Sequence, residues 1–243
     1  MRWILVLGMA LFGLPAWPAS LPKLVEPVLH LPASRPGITR VALTFDACDG
    51  LVDRRILDVL QKDNIQATIF VTGKWLARNP AAFAEMLARP DLFEIENHGA
   101  RHLPAVEVSR QIYRLWAAGS PAAVMREVSD GTLAIASAGG VAPHWFRGAT
   151  GQYDAGAMAD IRGLGLEIAG FSLNADQGAS LPAGTVFRRI AGARDGDVII
   201  AHINQPKRAA GAGVVQGIAA LRARGVEFVR LQDVLIPAAG TGR

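Results

Sequence analysis

The residues able to do chemistry are few, and they recur in one kind of place. Asp46 and Asp49, His98 and His102, Arg147, Asp176 and His202 each stand at or just beyond a short apolar run. Two of the chain's five histidines, in His98-Gly99-Ala100-Arg101-His102, are at i and i+4. On one helical turn both imidazoles can face a single point, a workable geometry for a zinc-class ion, although two surface histidines would show the same spacing. A carboxylate from another segment would complete three protein ligands with an open position for water, which is the chemistry of hydrolysis. Any one of these residues alone is ordinary loop or cap polarity. Their recurrence calls for elements that bring them together.

Val41 to Phe45 predicts a strand that ends in the polar loop Asp46-Ala47-Cys48-Asp49-Gly50. A helix follows with Val52, Ile56, Val59 and Leu60 at helical spacing and Asn64 at its end, then a buried strand over Ala67 to Val71. Asn79-Pro80 starts a helix through Ala88, and Phe93-Glu94-Ile95 leads into Glu96-Asn97-His98. Val106 to Met125 reads as mainly helical. Beyond it come a strand at His144 to Arg147, a helix over Asp154 to Leu164 and a strand over Glu167 to Leu173. A helix over Val186 to Ala191, a strand at Asp197 to Ala201, a helix over Val214 to Arg224, a strand at Phe228-Val229 and a short helix at Leu231 to Leu235 complete the pattern. Repeated βα units imply an α/β fold with a parallel sheet or barrel, where chemistry sits on loops at the carboxyl ends of the strands.

Composition narrows the class. At 243 residues, 51% hydrophobic and 19% charged, the chain is neither disordered nor collagen-like, and its size suits one compact domain. Twenty-five basic against 21 acidic residues give +4, with no block of like charges, so no nucleic-acid partner is expected. Residues 1–20 read as a secretory signal peptide: Met1-Arg2, an apolar run from Trp3 to Leu14 too short to span a bilayer, and a small-residue exit at Ala19-Ser20. Export to the periplasm or beyond is the expectation, with an uncleaved anchor as the alternative. Residues 21–40, with Pro22, Pro27, Pro32 and Pro36, predict an extended arm, and 237–243 a flexible tail. Cys48 is the only cysteine, which excludes an intramolecular disulfide.

Val41 to Asp46 with Asp49-Gly50, Glu94 to His102, Trp145-Phe146-Arg147 to Gly151, and Gly196 to His202 resemble the ordered motifs of the polysaccharide deacetylase family, the NodB-homology group or carbohydrate esterase family 4. The resemblance runs through residues 41–236 and implies a single domain with a distorted (β/α)7-type barrel. It implies Asp46 as catalytic base, His98 and His102 as metal ligands, Arg147 as the partner that orients the base, and His202 as general acid. Thr150 and Gly151 fall on the segment that supplies an oxyanion N–H, with Ala149 and Thr150 where the family has Pro and usually Tyr. Asp176 loosely matches the aspartate that ties to the arginine. The third metal ligand is open. Asp49 aligns with the family's metal aspartate if Ala47 and Cys48 are an insertion, Asp46 could bind the ion itself, or the histidines and water could hold it; Cys48 is a further candidate as a thiolate, although its expected role is a small buried hydrophobe.

The implied activity is metal-dependent removal of acetyl groups from N-acetylated sugars of a polysaccharide such as chitin oligomers, peptidoglycan or an exopolysaccharide. Zinc is the expected ion, with cobalt or another transition metal as alternatives, and contact with the cell envelope is expected at its periphery. O-deacetylation of a xylan-like polymer would use the same site, and a non-catalytic glycan-binding protein would keep the fold with a degenerate site. Trp75, Trp116, Trp145 and Tyr153 are candidate sugar platforms, and Leu103 to His144 is the segment expected to set specificity.

Overall fold

A computed structural model describes residues 21–235. The proposed signal peptide (1–20) and the C-terminal tail (237–243) lie outside the described residues.

The elements follow the βα alternation: β1 (Arg40–Ala47), α1 (Arg54–Lys62), β2 (Ala67–Val71), α2 (Gly73–Arg78), α3 (Pro80–Leu87), β3 (Phe93–Asn97), β4 (Gln111–Ile112), β5 (Leu115–Trp116), α4 (Pro121–Ser137), β6 (Trp145–Phe146), α5 (Ala155–Gly163), β7 (Glu167–Ile168), β8 (Leu173–Asn174), α6 (Ala183–Ala191), β9 (Val198–His202), α7 (Ala210–Ala223), β10 (Glu227–Val229) and α8 (Leu231–Leu235). Seven strands lie parallel in the order β7-β6-β3-β2-β1-β9-β8, and β10 pairs with the start of β1. This is the single-domain, curled parallel sheet flanked by helices that the motifs implied.

Both faces of the central strands are buried, so they read as near-continuous apolar runs. On β1, Val41, Leu43, Phe45 and Ala47 pack into the main core beneath α1, α6 and α7. The alternate residues face the inside of the curl, where Ala42 joins Phe70, Trp145, Val198, Ile200 and Leu231. The next inward residues of β1 are Thr44 and Asp46, so the apolar interior gives way to polar groups toward the carboxyl end.

The ends of the sheet path, β7 and β8, do not pair with each other among the described residues. The N-terminal arm crosses this seam. Val25 and Tyr153 exchange backbone hydrogen bonds of 2.8 and 3.0 Å, the Phe171 N–H donates to Pro27 O at 3.4 Å, and the Leu31 N–H donates to Gly196 O at 2.9 Å. The arm comes so close at Gly170 that any side chain there would strike the Pro27 carbonyl, and the expected strand over Glu167 to Leu173 is divided around this point into β7 and β8.

The helix expected over Val106 to Met125 is corrected. Residues 106–120 are mostly irregular and carry the β4–β5 hairpin, which turns through Tyr113 (φ 47°) and Arg114 (φ 71°). The helix begins only at Pro121, behind Gly119 at φ 82° and the Ser120 cap, whose side chain accepts from the Ala123 N–H.

Candidate active site

Strand register assembles the site. Asp46 at the end of β1 stands opposite His202 on β9 and Phe70 on β2. Asn97, the residue before His98, stands opposite Phe146, the residue before Arg147. Asp46, His98, His102, Thr150, Gly151 and His202 therefore line one open cleft of about 610 Å³ at the carboxyl ends of the strands.

Arg147 lies wholly inside the curl, beneath that cleft, and its guanidinium is fully engaged. It donates to Asp46 Oδ1 at 3.0 Å, Thr44 Oγ1 at 2.8 Å, Ala169 O at 3.2 Å and Gly170 O at 3.0 Å, and it stacks 4.2 Å from the centre of the Phe70 ring. Burial works against charge on Asp46, yet the positive charges of His98, Arg147 and His202 outweigh it and hold the carboxyl below its ordinary value.

His98 is fixed from behind. Its Nδ1 lies 2.5 Å from the Arg147 carbonyl, which can only accept, so Nδ1 carries a proton and Nε2 faces the cleft; burial works against charge on the ring, but Asp46 and Cys48 raise its proton affinity above the ordinary value. That Nε2 is 3.4 Å from Cys48 Sγ and 3.7 Å from Asp46 Oδ2. His102 completes the group: one potential ligand atom each from Cys48, His98 and His102 lie within 4.8 Å of one another. The pair sits in a loop rather than on a helical turn, with His102 at φ 65°.

Asp49, aligned with the metal aspartate on the assumption of an insertion, is placed elsewhere. Strand alternation turns Asp46 and Cys48 inward and Ala47 and Asp49 the other way. Asp49 Oδ1 caps the Gly50 N–H at 2.7 Å and pairs with Arg78 at 3.1 Å, with the side chain 42% exposed. The loop is pinned in this sense: Thr72 Oγ1 donates to Cys48 O at 2.5 Å, Asn204 Nδ2 donates to Asp49 O, and Asn79 Nδ2 donates to Gly50 O at 2.9 Å. Burial pushes the Cys48 thiol up, but the His98 and His202 imidazoles pull it well below its ordinary value.

Asp176 does not reach Arg147; it holds His202 instead. Its Oδ1 accepts from His202 Nδ1 at 2.8 Å and its Oδ2 from the His202 backbone N–H at 2.8 Å. Burial lowers the imidazole's proton affinity, but the Asp176 carboxylate and Cys48 more than compensate and raise it well above the ordinary histidine value. Thr150 sits in the left-handed region at φ 73°, while the Gly151 N–H is already donated to Gly148 O at 3.0 Å.

This constellation on a curled parallel sheet can be set beside known proteins. Residues 33–169 match the family model described as polysaccharide deacetylase. The chain belongs to the polysaccharide deacetylase family. It is 27% identical over 199 residues to peptidoglycan-N-acetylglucosamine deacetylase PgdA of Listeria monocytogenes, covering 80% of this chain and 38% of that protein. It is 30% identical over 143 residues to a chitin deacetylase of Colletotrichum lindemuthianum, covering 57% of this chain and 52% of that one. The chain thus spans only about two fifths to one half of the length of these curated relatives. A CE4 family pseudoenzyme from Bacillus anthracis has a similar fold, with a TM-score of 0.67 at 17% identity over 83% of this chain and 66% of that one.

Two residues at or behind the cleft escaped the sequence reading. Glu127 on α4 is fully buried behind His102, and its Oε1 accepts from the backbone N–H groups of Arg101 (2.8 Å) and Leu103 (3.1 Å). Nothing in its helical spacing separates it from a surface glutamate. Tyr113, 71% exposed, lines the cleft from the β4–β5 hairpin, in a stretch whose apolar residues read as helix. Of the aromatic residues considered as sugar platforms, Trp75, Trp145 and Tyr153 are core, and only Trp116 is exposed.

Proposed function

We propose that this protein is a metal-dependent deacetylase that removes acetyl groups from N-acetylated sugars of a cell-envelope or extracellular polysaccharide, peptidoglycan or chitin-like, releasing acetate. The observation that carries this reading is the placement of Asp46 within one cleft between a buried arginine, a histidine pair and a second histidine of raised proton affinity. The named activities of the peptidoglycan and chitin deacetylase relatives support the substrate class. An exported location follows from that substrate and agrees with the leader-like character of residues 1–20.

The donor chemistry fits a divalent ion. His98 and His102 would hold it with a third donor from the end of β1, and the His98 tautomer is already set for ligation by the Arg147 carbonyl. Such an ion supplies Lewis-acid polarisation of the acetyl carbonyl and acidifies a water molecule.

The chain's own groups do the rest. Asp46, kept ionised and held in one rotamer by Arg147, takes the proton of the attacking water. Thr150 lines the cleft and would offer its N–H to the oxygen on which charge develops, and Gly151, whose N–H is spent within the turn, shapes that segment. His202, whose imidazolium is favoured by the Asp176 carboxylate at Nδ1–H, delivers its Nε2 proton to the leaving amine. Arg147 and Asp176 act through Asp46 and His202 as positioning residues.

Acetate release from chitin oligomers and peptidoglycan, measured with added zinc or cobalt, tests the reading. Wild type should release acetate, and Asp46→Asn and His202→Ala should each lose about 10²–10⁴-fold. Absence of release from every N-acetylated polymer by metal-loaded wild type would leave a glycan-binding protein. Release confined to O-acetylated xylan would change the bond that is cleaved.

A further inference from the structure

We propose that the third metal ligand is the Cys48 thiolate, so that the cleft carries a site of two histidines and one cysteine, selective for zinc-class, thiophilic cations over magnesium, calcium and manganese. The inference rests on the metal-dependent reading above and names the donor that reading left open.

Three independent features place Cys48 there. Its Sγ is 3.4 Å from the one His98 nitrogen free to bind a metal, and it lies in the same 4.8 Å group as His102. The two carboxylates that could compete are placed less well: Asp46 Oδ1 is bound by the buried Arg147 guanidinium and its Oδ2, 3.7 Å from His98 Nε2, falls outside the group that Cys48 forms with both histidines, while Asp49 is turned toward solvent and Arg78. Finally, the Cys48 and Asp49 carbonyls are held by side chains of Thr72 and Asn204, which fixes the alternation that points Sγ inward.

A thiolate carries the same charge as a carboxylate, so the net charge of the filled site is unchanged by the exchange. Softness differs. Sulfur favours zinc and its softer neighbours, whereas magnesium, calcium and manganese prefer oxygen donors. Leaving both carboxylates out of the coordination sphere also frees Asp46 to act as a base.

The test is the optical spectrum of the full-length protein loaded with one equivalent of cobalt(II), together with zinc affinity by chelator competition. Wild type should show a thiolate-to-cobalt charge-transfer band in the near ultraviolet. Cys48→Asp should bind cobalt without that band and should lose its preference for zinc over manganese. Cys48→Ser should lose zinc affinity by at least about 10-fold, the lower end of what even outer-sphere changes cost. Asp49→Asn should leave band and affinity as they are. Cobalt bound to wild type without the band, or loss of metal in Asp49→Asn, would overturn the thiolate assignment. That failure is separable from failure of the proposed function: acetate release without the band removes only the ligand assignment, while the band without acetate release removes only the hydrolytic reading.

Discussion

Glu127 holds His102 through the two amides beside it. One carboxylate oxygen accepts from the N–H groups of both Arg101 and Leu103, and the Glu127 carbonyl accepts from the Ala100 N–H at 3.0 Å. His102, at φ 65°, occupies a backbone region unfavourable for a non-glycine residue, and these bonds offset that cost. The neighbouring Gly99, at φ 88°, leaves no room for a side chain against the same carboxylate.

Removing the carboxylate should therefore loosen the proposed metal site without touching a proposed ligand. Glu127→Ala is expected to lower zinc affinity about 10–100-fold, the usual range for an outer-sphere partner. Glu127→Gln keeps an acceptor oxygen for both amides and should recover most of that loss. Chelator competition on the two variants gives the answer, and equal affinity in Glu127→Ala and wild type would show that the loop holds itself.

Arg147 provides a stability prediction as well as a catalytic one. Its partners are the Asp46 carboxylate, a threonine hydroxyl and two carbonyls, all buried, so truncation strands a charge and several acceptors. Arg147→Ala should cost about 3–5 kcal/mol, the range for breaking a buried ion pair from one side. For a chain of this length that is roughly 6–20 °C in Tm. Arg147→Lys restores the charge but not the planar fork, and should recover only part of the stability. Thermal melts of both variants decide it; a Lys variant as stable as wild type would show that charge alone is what Asp46 needs.

Deeper in the curl, Glu94 and Glu96 are buried together on the same face of β3. Glu96 accepts from the His144 and Trp145 N–H groups, and Glu94 from Thr68 Oγ1 and the Gln232 N–H. Burial first, and then the Glu94 charge, push the Glu96 carboxyl up to about 9. The folded protein thus retains a proton that the unfolded chain releases above about pH 4. Its stability contribution is present at low pH and is lost as pH rises from there toward 9. Glu96→Gln preserves the acceptor for His144 and Trp145 while removing the titration. It should raise stability at pH 8 and flatten the pH dependence. A wild-type Tm that does not fall between pH 5 and 9 would contradict the retained proton on Glu96.

The sheet was legible because β1, β2, β3 and β9 are runs buried on both faces, and His98 and His202 were legible because each stands at the end of such a run, whereas Arg147 follows only the two-residue β6. The choice between Asp49 and Cys48 was harder. An insertion-based alignment favours the carboxylate, whereas the period of two continuing past Ala47 favours the thiol, and only the bonds from Thr72 and Asn204 settle which way the loop turns. The hairpin over Gln111 to Trp116 was hidden because two-residue strands are too short to show a period, and its turn uses Tyr113 and Arg114 where glycine or asparagine is usual. Glu127 and the helix at Gly73 to Arg78 were invisible for a related reason: each is defined by a partner distant in sequence, the loop at His102 for the first and the Ala100 carbonyl, which accepts from Lys74, for the second.

The pairing of His202 with Asp176 sets the upper pH limit of the proposed reaction. As a general acid His202 must be protonated, so activity should fall as pH rises through its pKa, which the Asp176 carboxylate raises well above the ordinary histidine value. In Asp176→Asn one acceptor oxygen replaces two, so either Nδ1–H or the His202 backbone N–H loses its partner, and the charge that favours the imidazolium is gone. The alkaline limb of the pH profile for acetate release should then move down by about 1–3 units, the usual effect of an adjacent opposite charge. The low-pH limb belongs to Asp46 and should stay in place, because Arg147 and His98 still hold that carboxyl down. Equal downward movement of both limbs would indicate a general disturbance of the cleft. An alkaline limb that does not move at all would show that His202 is not the acid, and the proton for the leaving amine would have to come from elsewhere.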